Sequence, residues 1–378
     1  MVGSDLLIYI PWAVWNLPIW ILQHFFGIDA AYNVGSLLWS KLFLAVVFAL
    51  CIIPIKRIAK DAEDVSKILF LSFTSFFTIM SVCFAGQNDS LVIFAFLMAI
   101  AGLKEGKTKS FIVWSALSIA FKPFFIFSYI AVILLREKNL LKILGYVAAG
   151  FSLYVLQKVP FIGAPMYKES LAYGPTVGVL ENLLSSKLDI PPAGASFFVL
   201  ALGAFYLMAY FTDKTEEESR FKEYIYYITA PLILFFAFAN YEAYRPVYLV
   251  PIFIILMTAK KELYRTNLLL ETVSTSALIA YYILDDPLFY NPNNILWGHK
   301  SGPLPSISLF LTSKMPGYGF TAFTAVYVVC MVFFLLINHP GFNRSNRVLC
   351  MKEEPWLLTV RSLIYAIPLL ISLALRFL

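Results

Sequence analysis

About twelve runs of apolar residues, separated by short charged clusters, fix most of what this chain can fold into. They lie at approximately 37–55, 67–85, 90–103, 110–121, 123–135, 139–157, 196–212, 224–240, 246–259, 266–283, 319–338 and 356–377. A bilayer core of roughly 30 Å calls for about 20 apolar residues per helix, fewer if a segment is short or re-entrant. With 60% hydrophobic and only 14% charged residues, too little polar surface exists to wrap these runs in water. The expectation is an all-α, polytopic transmembrane helical bundle of about 12 membrane helices, some short or re-entrant.

The basic residues test that reading, because one missed helix swaps the side of everything after it. With Lys56, Arg57, Lys60 and Lys67 placed inside, four further clusters follow them: Lys104, Lys107 and Lys109; Arg136, Lys138 and Lys142; Lys214, Arg220 and Lys222; and Lys260, Lys261 and Arg265. Arg344, Arg347 and Lys352 join the same side. Nine basic residues fall outside, and Arg361 sits within a run. The net charge of +6 is therefore explained by cytoplasmic loops, and no basic patch or motif indicates nucleic acid. A single helix over 110–135 would break this pattern, so the spacing predicts two short helices hinged at Lys122-Pro123.

Residues 1–36 form an outer segment in which Pro11, Trp12, Trp15, Pro18, Trp20 and His24 interrupt the apolar stretch, as in helices lying in the interface. No cleavable signal peptide is recognisable at Met1. An outside start with no preceding helix suggests that a first membrane helix present in relatives is missing. Residues 37–378 read as one transmembrane domain with outer loops at about 158–195 and 284–318, rich in Pro, Gly, Tyr and Asn. Cys51, Cys83, Cys330 and Cys350 are scattered, and His24, His299 and His339 lack metal-ligand spacing, so neither a disulfide framework nor zinc is indicated.

Three outer turns border segments too short to cross a bilayer: Gly86-Gln87-Asn88-Asp89-Ser90, Phe121-Lys122-Pro123-Phe124, and Asn240-Tyr241-Glu242-Ala243-Tyr244-Arg245-Pro246. If their inner ends are level, these turns are sunk below the outer surface, where charge is tolerated only beside a wet or protein-walled cavity. Asp89, Lys122, Glu242 and Arg245 then stand near its floor. Each has a simpler reading: Lys122 as a snorkelling lysine, Glu242 and Arg245 as a mutual pair, Asp89 as a helix cap. Asp5, ahead of the aromatic N-terminal segment, is a further outer carboxylate, with Asp189, Asp285 and Asp286 as competitors.

The order of these motifs, an outer aspartate, Gly-Gln-Asn-Asp-Ser opening a short helix, a Lys-Pro hinge and Tyr-Arg-Pro-Val-Tyr-Leu-Val-Pro, resembles the GT-C superfamily of polyprenol-phosphate-sugar-dependent glycosyltransferases, especially its bacterial mannosyltransferase-like branch. The resemblance implies a multi-pass protein of the plasma (inner) membrane whose site faces the extracytoplasmic side. It implies a polyprenyl-phosphate-linked sugar as donor, with mannose the default, and a glycan or lipid acceptor. By position Asp5 matches the catalytic outer aspartate, with Tyr9 nearby, although the helix that normally precedes it is missing. In that chemistry Asp5 or Asp89 takes the acceptor proton, Lys122 and Arg245 hold the donor phosphate, and Gln87, Asn88, Tyr9, Tyr241 and Glu242 contact substrate. One carboxylate suffices for an inverting single displacement. No cofactor is required, and a divalent metal bridging the phosphate and Asp89 is compatible with this chemistry but demanded by no motif. The alternatives are a lipid or glycolipid transporter or flippase, which calls for repeated halves not evident here, and an O-antigen-polymerase-like enzyme, which calls for arginines in the large outer loops.

Overall fold

The computed structural model describes residues 6–28, 33–165, 167, 175–188, 194–213, 217–239, 244–285, 318–341 and 355–374. It is all-α. One two-stranded pairing, Lys187–Leu188 against Ala195–Ser196, is the exception among the described residues. Among the described residues, each of the twelve apolar runs is predominantly helical. Length and apolarity sufficient to cross a membrane belong, among the described residues, to Val34–Ile58, Arg220–Phe238 and Thr321–Asn338, and to two bent pairs if each counts as one span. These three to five helices are compatible with membrane insertion, and six shorter apolar helices of 10–17 residues accompany them among the described residues.

The chain divides into two compact units, residues 1–65 with 86–240, and residues 66–85 with 241–378. The first begins with α1 (Leu6–Trp15) and α2 (Leu17–Phe26), bent by 62° at Asn16. Pro18 occupies the first turn of α2, where its missing N–H costs nothing. Next come α3 (Val34–Leu50), capped by Asn33, whose side chain accepts from Ser36 N at 2.8 Å, and its continuation α4 (Ile52–Ile58). After α5 (Ala62–Phe73) passes into the second unit, α7 (Asp89–Lys104), α8 (Thr108–Phe121), α9 (Phe125–Arg136) and α10 (Leu140–Leu156) run back and forth. Lys122 is extended (φ −147°, ψ 109°) before Pro123, which is the break expected at that dipeptide. The unit is completed by α11 (Pro175–Ser185), α12 (Phe197–Phe211) and α13 (Glu217–Phe238).

Two glycines set how closely these helices approach. A Cβ on Gly150 of α10 would lie 2.3 Å from Tyr129 Cε1 of α9, and one on Gly102 of α7 would lie 3.0 Å from the backbone nitrogen of Phe111 in α8. Basic side chains then tie helix ends together at one pole. Arg57 makes a bidentate pair with Glu105 (2.6 and 2.9 Å), Lys104 donates to the Ile58 and Ala59 carbonyls, and Arg136 donates to Thr108 Oγ1 at 2.8 Å. Lys138 donates to Leu134, Ala209 and Tyr210 carbonyls. Cations at carbonyl-bearing helix ends are favoured by the helix dipole, so one set of contacts serves both charge and backbone.

In the second unit α5 ends at a 60° break before α6 (Phe76–Ile79), which runs into a π turn over Met80–Ala85. A 3-10 turn, Arg245–Tyr248, leads to α14 (Val250–Ala259), followed by α15 (Tyr264–Asp285), α16 (Tyr318–Asn338) and α17 (Pro355–Ala374). Phe253 stacks on Phe334 with centroids 3.6 Å apart. Asn267 and Asn338, both fully buried, exchange two side-chain bonds of 3.1 and 2.7 Å, which satisfies both carboxamides where water cannot reach.

Candidate functional site

The α7–α8 hairpin carries two of the expected site residues to the pole opposite the Arg57–Glu105 pair. The close approach at Gly102 and Phe111 fixes the register of these antiparallel helices. Thirteen residues back lies Asp89 and eleven residues on lies Lys122, which at about 1.5 Å per residue puts the two within about 3 Å of the same level. The helices are 16, 14 and 12 residues for α7, α8 and α9, or about 24, 21 and 18 Å, short of a bilayer core of roughly 30 Å. Asp89 is 3% exposed. It is the first residue of α7, and Asn88, at the cap position, makes no side-chain capping bond. A carboxylate there is favoured by the positive end of the helix. Lys122 is half-buried.

One buried carboxamide joins three elements at this pole. Gln157, just past α10, accepts from Leu7 N at 3.2 Å and donates to the Ala120 carbonyl at 2.7 Å. The first turn of α1 is thereby held beside the end of α8 that leads into Lys122. A reciprocal tryptophan clasp fixes the other end of α1. Trp15 Nε1 donates to the Trp39 carbonyl (2.9 Å), Trp39 Nε1 to the Trp15 carbonyl (3.0 Å), and the rings stack at 4.7 Å. Asn16 adds a bond from Ser40 Oγ at 3.3 Å.

So held, α1 turns Tyr9, Trp12, Ala13 and Asn16, positions spaced along one helical face, toward Asn88. Together they line a shallow, open cleft of about 470 Å³. Tyr9 is 37% exposed, and the Trp12 indole N–H is buried with no hydrogen-bond partner among the described residues. Tyr9 and Asn88, expected to contact substrate, thus share one cleft. Gln87 is exposed in the same turn. Gly86 opens that turn at φ +59°, a conformation that side-chain-bearing residues rarely adopt.

Not every expected residue is brought here. Arg245 opens the 3-10 turn of the second unit, half-buried, and is described with that unit. Asp5, Tyr241 and Glu242 lie outside the described residues.

The second unit holds a polar centre that the motif spacing did not single out. Arg361 of α17 is fully buried and grips Glu271 of α15, itself 8% exposed, through Nε–Oε2 at 2.9 Å and Nη2–Oε1 at 3.1 Å. The same guanidinium donates to the Leu71 carbonyl and Thr74 Oγ1, each at 3.0 Å, where α5 breaks, and lies 4.6 Å from the Tyr365 ring centroid. Buried Ser72, Ser75 and Thr78 carry hydroxyls without partners among the described residues around that break. The sequence signal was present: two opposite charges within apolar runs, Glu271 the single charge of 266–283 and Arg361 inside 356–377.

Glu105, in the turn after α7, is strongly coupled to two cations. Hydrogen bonds from Arg57 and then Lys107 (2.7 Å) hold its carboxyl down to about 2. Among the described residues no group of three or more His, Cys, Asp or Glu could hold a metal ion. Comparison of the chain with protein-family models, with curated proteins and with solved structures finds no match.

Proposed function

We propose that this chain is a membrane glycosyltransferase of the GT-C type, transferring a hexose, by default mannose, from a polyprenyl-phosphate donor to a glycan or lipid acceptor on the extracytoplasmic side. The carrying observation is the juxtaposition in the first unit: a buried carboxylate, Asp89, level with Lys122, beside a cleft lined by Tyr9 and Asn88. In the proposed inverting displacement the acceptor hydroxyl oxygen bonds to the anomeric carbon as its bond to the phosphate oxygen breaks. The phosphate leaves with the electron pair, and the hydroxyl proton passes to a carboxylate, Asp89 or Asp5. Lys122 offsets the charge growing on the phosphate, which is worth most where water is sparse. Gln87, Asn88 and Tyr9 are the proposed substrate contacts within the first unit.

The test is transfer of label from a radiolabelled polyprenyl-phosphate mannose, and from the glucose analogue, by membranes containing the protein. Loss of transfer in Asp89→Asn and Lys122→Ala supports the assignment. Unchanged transfer in both variants removes these residues from the site, and no transfer from either donor removes the enzyme class.

Transport of a lipid or glycolipid is the second reading, favoured by one observation. The α5–α6 helix is broken by 60° within a buried polar centre built on Arg361 and Glu271, and broken helices at buried charge are a recurrent feature of transporters. Movement of a fluorescent glycolipid between leaflets of vesicles containing the protein, without chemical change, would select this reading over the first.

A further inference from the structure

The Gly86 turn is crossed by a lysine that motif spacing gave no reason to connect with it. A Cβ built on Gly86 would meet Lys41 Cε at 3.6 Å and Lys41 Cγ at 3.9 Å, so the stem of this α3 side chain lies across the turn and carries its ammonium to that corner. Lys41 is half-buried and follows Trp39 and Ser40, the two α3 residues that fasten α1. The cleft beside the turn is apolar on its α1 wall, with Tyr9, Trp12 and Ala13, and among the described residues its lining carries no charge. At its rim, Asn88 makes no capping bond with its carboxamide, and in the next turn the buried Ser90 hydroxyl has no partner among the described residues. The start of the 16-residue α7 lies at the same corner, where the buried Asp89 carboxylate already takes part of the helix's positive end, so the ammonium of Lys41 is the contact that distinguishes an anion.

An ammonium, a carboxamide and a helix start next to an apolar cleft make an amphiphilic arrangement, suited to neither a free sugar nor a bare hydrocarbon. We infer that Lys41 is a headgroup-binding residue for a prenyl phosphate: the phosphate sits over the Gly86–Asn88 turn against Lys41, and the first prenyl units lie in the cleft along Tyr9, Trp12 and Ala13. This rests on the donor chemistry proposed above and adds to it a cation and a seat for the lipid. Lys41 precedes the Gly86 turn by 45 residues, and only the packing of α3 against the turn brings it in. The Gly86 backbone is part of the device, because its positive φ folds the turn under the lysine stem.

The experiment uses the full chain in phosphatidylcholine nanodiscs, with binding read by tryptophan fluorescence for farnesyl phosphate, farnesol and inorganic phosphate. The native protein is expected to bind farnesyl phosphate about tenfold more tightly than farnesol, as one charge-assisted contact provides. Lys41→Gln abolishes that difference while leaving farnesol binding unchanged, and Lys41→Arg retains it. Ala13→Phe, which fills the cleft, weakens both prenyl ligands. Thermal unfolding in the same discs checks that each variant is folded, and Lys41→Arg decides the matter if Lys41→Gln is not. Farnesyl phosphate binding unaltered by Lys41→Gln overturns the inference, as does equal affinity of the native protein for farnesol. Displacement by inorganic phosphate at matching concentrations would make this a free-anion site and equally overturn it. Sugar transfer is assayed separately. Lys41-dependent binding without any transfer keeps this site and sinks the transferase, whereas full transfer by Lys41→Gln sinks this site and keeps the transferase.

Discussion

Replacing Arg361 by Met isolates what the buried ion pair of the second unit contributes. The substitution keeps an apolar stem in α17 but removes four hydrogen bonds, two to Glu271 and one each to the Leu71 carbonyl and Thr74 Oγ1. The larger effect is on the partner left behind, because Glu271 is 8% exposed and keeps a carboxylate without its counter-charge. Removing one member of a buried pair typically costs about 3–5 kcal/mol, most of it the uncompensated charge. For a unit of this size that corresponds to a fall in apparent melting temperature of about 10 °C. Glu271→Met should be comparably damaging, since the guanidinium then stays buried with only Leu71 O and Thr74 as acceptors. The double variant Arg361→Met with Glu271→Met removes both charges and should recover about 1–4 kcal/mol relative to either single change. Thermal unfolding of detergent-solubilised protein, followed by loss of the monodisperse species, reads all four forms. If the double variant loses the sum of the two single losses, the pair is not energetically coupled and the reasoning fails.

Three other outcomes are expected. Gly150→Ala sets a methyl 2.3 Å from Tyr129 Cε1, so α9 and α10 must part, at about 1–3 kcal/mol; Tyr129→Leu in the same chain should restore part of it, measured by the same unfolding assay. Glu105, with its pKa held down to about 2 from an ordinary 4.5, contributes stability that is complete above pH 4.5 and lost as pH falls toward 2. Because the pair is exposed the effect stays below about 1 kcal/mol, and Arg57→Gln should flatten the native protein's pH-dependence of melting over that window. Asp89→Asn should cut sugar transfer by at least about 100-fold while leaving the melting temperature within a few degrees, separating loss of a base from loss of fold.

How much was legible in the sequence follows from which interactions are local. The Lys122-Pro123 break could be read from two adjacent residues, because proline restricts the residue before it wherever the pair occurs. The helical character of each apolar run was equally legible, since hydrogen bonding of the backbone in an apolar medium leaves few options. The level of Asp89 with Lys122 was anticipated only as a shared shallowness of short segments; the tight contact at Gly102 and Phe111 turns it into a register. Gln157 and Lys41 carried no readable signal of their own, because each acts on residues tens of positions away.

By itself, the sequence determined that this chain is helical, that its charges cluster between apolar runs, and which polar turns border segments too short to span. These are consequences of composition and period, which act within a few residues. Only the tertiary structure decided which turns share a corner with α1, that Asp89 is buried, and that Arg361 and Glu271, 90 residues apart, neutralise one another. It also divided the expected residues, keeping Asp89, Lys122, Tyr9 and Asn88 with the first unit and Arg245 with the second. The physical reason is that buried polar groups must find partners somewhere in space, and hydrophobic periodicity does not encode where.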